Sequence, residues 1–145
     1  MSWTDAAIEE LARRFAAAAI PRPEWTHEAH LVMGAWHVHT LGAAKALEAL
    51  RARIRRLNES NGVANTETDG YHETITRAYV AIIGDHLARS GPERSLAARV
   101  AELLAGPLAA RDALLRHYSR ARLFTPAARL GWVEPDLLPL PATAP

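Results

Sequence analysis

Residues 43–59 read AAKALEALRARIRRLNE. Leu47, Leu50, Ile54 and Leu57 recur at the three-and-four spacing of one helical face, while Lys45, Arg51, Arg55 and Glu59 fall on the other. The spacing predicts an amphipathic helix, stopped by Asn61-Gly62. Upstream, Thr26 caps a second helix over 27–41, closed by Gly42. Before it, Thr4 caps a first helix that carries Ile8, Leu11, Phe15 and Ala19 on one face, and Pro21 and Pro23 end it.

Downstream, a polar loop over 63–70 leads to a fourth helix over about 71–88, with Asp69 placed to cap it. Gly91-Pro92 ends that helix. Residues 95–105 predict a fifth helix, broken by Gly106-Pro107, and 108–119 a sixth. Thr125-Pro126 opens a short seventh that reaches about Leu130. The tail, 133–145, is too proline-rich for helix and is expected to run extended over the surface. Trp132, Leu137, Leu138 and Leu140 should pack it onto the bundle, just as Trp25 and Trp36 should anchor the core. No stretch alternates like a half-buried strand. The expectation is an all-α protein: one domain over 1–145, a compact bundle of about six helices with an extended C-terminal tail.

Composition agrees. Of 145 residues, 49% are hydrophobic, and Ala and Leu dominate that fraction. Both lose little side-chain freedom in a helix. A formal net charge of +1 gives no field that would draw the chain to nucleic acid or membrane. The basic face of Lys45, Arg51, Arg53, Arg55 and Arg56 lacks the interleaved aromatics that stack on bases. Cysteine is absent, which excludes disulfides and thiolate chemistry. No secretory signal opens the sequence, and the apolar run at 15–20 is too short to span a bilayer. A cytoplasmic protein is expected.

The chemistry concentrates in the histidines, of which there are seven. His27, His30 and His37 lie within about 80° of one another on the second helix. Gly34 sits in that stripe, where a missing side chain admits close approach. At the start of the fourth helix, His72 and Glu73 open a polar stripe that continues through Thr76, Tyr79 and His86. The positive end of a helix dipole disfavours imidazolium, so His27, His30 and His72 should be neutral, the form that binds metal or acts as a base. Three readings follow. In the first, His27, His30 and His72 hold one divalent transition metal, with Glu73 as a fourth ligand or as a general base on metal-bound water. Nitrogen and oxygen donors suit Zn, Fe, Ni or Cu without choosing among them. In the second, a metal-free pocket takes a small acidic molecule through Tyr118, Arg120 and Arg122. In the third, the polar stripe is a structural network of an interaction module. His27-Glu28-Ala29-His30 is not a zinc-protease motif, because its histidines are three apart rather than four. Neither substrate, reaction nor oligomeric state is written in these residues.

Trp25-Thr26-His27-Glu28-Ala29-His30-Leu31, with Gly70-Tyr71-His72-Glu73-Thr74-Ile75-Thr76, resembles the signatures of a family of small bacterial proteins of unassigned function. Asn65-Thr66, Tyr118-Ser119-Arg120 and the stretch from Trp132 to Leu137 fit the same pattern. The resemblance implies a bacterial, single-domain protein. It carries no activity, cofactor or catalytic residue with it.

Overall fold

α2 (His27–Leu41) runs through the centre of the molecule and packs against α1 (Asp5–Ala16), α3 (Ala43–Ser60), α4 (Glu73–Arg89) and α5 (Leu96–Leu104). The computed structural model describes residues 2–141, and the last four residues of the expected tail lie outside them. Among the described residues there are seven α-helices and no strand; α6 (Arg120–Leu123) and α7 (Pro126–Leu130) are short. Ala29, Leu31, Val32, Met33, Ala35 and His37 are all buried, on every side of α2. A helix covered all round needs no single apolar stripe. Gly34 lets α4 come close: a Cβ there would lie 2.7 Å from Ile83 Cδ1. On α3, Leu50 and Leu57 are buried and Leu47 and Ile54 half-buried against the core, as the spacing requires.

Thr4, Thr26 and Thr125 cap their helices as expected, each accepting a backbone N–H from three residues on. Three boundaries differ from expectation. α1 stops at Ala16, so Ala19 is not on its face. Ala18 takes a left-handed φ of 55°, and Ala19 N–H and Ala18 N–H donate back to Arg14 and Phe15. That turn normally takes glycine, and an alanine there gives no sequence signal. α4 begins at Glu73 and its cap is His72, not Asp69, which closes a turn with Thr66.

The expected sixth helix over 108–119 is replaced by two 3-10 turns, Pro107–Ala109 and Ala113–Arg116. Leu108 is buried in the main core, whereas Leu114 and Tyr118 are buried in a second cluster with Ala78 and Leu123. One straight helix cannot reach both, so the chain turns extended at Ala110 between them. Tertiary anchoring overrides helix propensity.

The tail packs through Trp132 and Leu140, while Leu137 and Leu138 stay about half exposed, contrary to expectation. Trp132 meets Tyr118 edge-on and lies under the Arg77 guanidinium. Backbone bonds hold the strap as well: Val133 N–H donates to Thr74 Oγ1, Leu137 N–H to the His117 carbonyl, and Tyr118 O–H to the Val133 carbonyl. Truncation after Gly131 strands these buried groups. It should cost about 2 kcal/mol and lower the melting temperature by roughly 5–10 °C. An unchanged melting curve would mean that the strap contributes nothing.

Candidate functional site: a cleft between α2 and α4

A cavity of about 480 Å³ opens between α2 and α4, backed by Leu50 and Ile54 of α3 and bordered by residues 111–124. Its wall is mostly apolar, from Leu31, Ile75, Val80 and Ile83. Polar groups reach it from four places: His27 and His30 of α2, Thr76 and Tyr79 of α4, Arg111 and Asp112 between the two 3-10 turns, and Arg120 at the start of α6. An apolar cleft with a few placed polar groups is the usual form of a small-molecule site.

His27 and His30 belong to this cleft. His27 Nε2–H donates to the Leu108 carbonyl at 2.8 Å, tying α2 to the 3-10 segment. His30 Nδ1–H donates to the Thr26 carbonyl at 2.8 Å, and its ring lies against Trp25 with centroids 3.9 Å apart. Donation to a carbonyl fixes each tautomer, so neutral His27 keeps a lone pair on Nδ1 and neutral His30 on Nε2. The His30 pKa is pushed down to about 4, mainly by desolvation, against the pull of the Thr26 carbonyl; His27 and Arg111 add to the lowering. The residue is nevertheless exposed, and it borders both the cavity and a second, polar depression. That depression adjoins the first along Trp25, His30, Ile54, Ile75 and Thr76, and is rimmed by Arg22, Asn58, Asn61 and Arg129.

His72 and Glu73, expected to complete a metal site, are engaged elsewhere. His72 Nδ1 accepts the Ile75 N–H at the start of α4, and Nε2–H donates to the Leu123 carbonyl at 2.9 Å. Both ring nitrogens are used, and the group borders only the polar depression. Desolvation, with Arg129 nearby, holds its pKa down despite the Leu123 carbonyl. Glu73 accepts from Arg51 Nε at 2.9 Å and Nη2 at 2.5 Å, and from Tyr71 O–H at 2.7 Å. This bidentate pair fastens α3 to α4 and holds the carboxyl below its usual range. Among the described residues no three His, Asp or Glu side chains are placed to share a metal ion.

The expected anion contacts divide. Arg120 lines the cavity. Tyr118 is fully buried and spends its hydroxyl on Val133, and Arg122 Nε donates to the Glu134 carbonyl, so both hold the tail. Arg111, Asp112 and Tyr79 also lie on the cavity, and only a correct reading of the break at Ala110 would have found Asp112. Arg111 and Arg120 pair with no carboxylate among the described residues. Burial, then Asp112, pushes the Tyr79 hydroxyl up to about 12, so it stays protonated.

The other histidines are structural. His37 is fully buried; its Nδ1–H donates to the Met33 carbonyl and its Nε2 accepts from Arg53. Buried Arg99 donates to the Leu87 carbonyl and the Ser90 hydroxyl at the end of α4, beside His39. No helix among the described residues is long and apolar enough to cross a membrane. No family model matches the chain, and no curated protein or solved structure is detectably similar to it.

Proposed function

We propose that this chain binds a small molecule with an apolar body and one acidic group in the cleft between α2 and α4. The observation that carries the reading is the pairing of an apolar cavity of about 480 Å³ with two arginines, Arg111 and Arg120, that no carboxylate neutralises among the described residues. The apolar wall supplies affinity by removing hydrocarbon from water. A guanidinium fixes orientation, because its planar fork matches a carboxylate or phosphate. Tyr79 and Thr76 offer hydroxyls along the way. A divalent metal on His27, His30 and His72, with Glu73 as ligand or base, is the less supported reading. It would require His72 to give up the α4 cap and Leu123, and Glu73 to leave Arg51.

Calorimetric titration with 3-phenylpropanoate and with its uncharged amide tests the proposal. The acid should bind at least tenfold tighter than the amide, and Arg111→Gln should remove most of that advantage, since a charge-assisted bond contributes about 1.5–3 kcal/mol. Equal affinity for acid and amide would overturn the acidic-ligand reading. Elemental analysis of protein purified without a His tag addresses the other: stoichiometric Zn, Fe, Ni or Cu would put the metal reading in its place.

A further inference from the structure

His30 stands where the apolar cavity and the polar depression meet, and it lines both. We infer that the ligand carries, besides its acid, a neutral hydrogen-bond donor, a hydroxyl or N–H, that is read by His30 Nε2 at this junction. The inference rests on the acidic-ligand reading and deepens it.

His30 Nδ1–H is committed to the Thr26 carbonyl one turn back, and the stack on Trp25 fixes the plane of the ring. Nε2 then has no hydrogen-bond partner among the described residues, and in the neutral ring it is an acceptor only. A ligand carbonyl or ether facing it would meet lone pair with lone pair. An ammonium would supply a proton, but it would sit beside Arg111 and His27, with Arg22 and Arg129 across the polar depression; among the described residues Asp112 is the one carboxylate lining the cavity. A neutral donor satisfies the nitrogen without that repulsion.

Two other roles fit less well. As a general base His30 would work against its place in the first turn of α2, where the positive end of the helix dipole disfavours the imidazolium that a base becomes. A purely structural role would need Nδ1 and the Trp25 contact but would give no reason for the residue to line both cavities. The same position keeps the acceptor available at neutral pH. The ligand therefore has three parts: an acid at the Arg111 and Arg120 rim, an apolar middle against α4, and a donor at the His30 junction.

The test uses four probes on the whole chain: 3-phenylpropanoate and its ortho, meta and para hydroxyl derivatives, with the methyl ether of the best isomer as an acceptor-only control. Affinities are read by calorimetry for wild type and for His30→Phe, which keeps a ring against Trp25 but has no acceptor nitrogen. At least one hydroxyl isomer should bind about tenfold tighter than the parent, and its methyl ether should lose that gain. In His30→Phe the gain should vanish, so that the hydroxyl isomer and the parent bind that variant equally. A parent that binds with no isomer gaining overturns this inference and leaves the acidic-ligand reading standing. A gain that survives in His30→Phe also overturns it, since another group then reads the hydroxyl. If neither the parent nor any isomer binds, the acidic-ligand reading itself falls, and this inference with it.

Discussion

His72→Ala is expected to lower the melting temperature by about 10 °C, whether or not divalent metal is present. The substitution removes an N-cap, since His72 Nδ1 accepts the Ile75 N–H, and loss of a cap costs about 1 kcal/mol. It also strands the Leu123 carbonyl, which takes the Nε2–H of this buried ring, at a further 1–3 kcal/mol or so. For a chain of this size each kcal/mol shifts the midpoint by roughly 3–5 °C. His72→Asn should recover about 1 kcal/mol, because Asn is a good cap but too short to reach Leu123. Thermal melts of the two variants, with and without Zn, check this. A wild-type protein that gains stability from Zn only while His72 is intact would make the residue a ligand rather than a cap.

Acid should weaken the fold well before carboxylates are neutralised. Burial, helped by Arg53 and opposed by the Met33 carbonyl, pushes the His37 pKa down to about 4, against about 6.5 in the unfolded chain. His72 and His30 shift the same way. Between those values the unfolded chain binds more protons than the folded one, so stability is complete above about pH 6.5 and is lost as pH falls toward 4. For His37 alone the loss is on the order of 2 kcal/mol; His30, an exposed residue, contributes less. Melting temperature should therefore drop by roughly 5–10 °C between pH 7.5 and 4.5. Glu73, held down by Arg51, acts only below that window. His37→Leu should flatten the profile while lowering stability at neutral pH, because it strands Arg53 and the Met33 carbonyl. A wild-type profile flat down to pH 4.5 would contradict this assignment.

Much of this architecture is legible in particular residues. The α3 pattern, the threonine caps and the Gly42, Gly62 and Gly91 stops mark local geometry, and local geometry is what side-chain spacing records. Gly34 announced a close approach, and Ile83 makes it. The misses share one cause: a long-range partner decides the local choice. Leu108, Leu114 and Tyr118 are drawn into two different clusters, which no helical period reveals. His72 reads as a free imidazole until Leu123 is seen to claim it from 51 residues away. Arg51 claims Glu73 in the same manner, from 22 residues away. His27 and His30 are recognisable as neighbours lining one cleft because they sit one turn apart on a single helix. Asp112 is not, because the segment carrying it reads as a helix.

A crystal structure of the chain with 3-phenylpropanoate tests the central claim most directly. The phenyl ring is expected between Leu31 of α2 and Val80 of α4, with the carboxylate within hydrogen-bond distance of Arg111 or Arg120. A cleft left empty at a saturating concentration of the acid, or a metal ion bridging His27, His30 and His72 in its place, would contradict it.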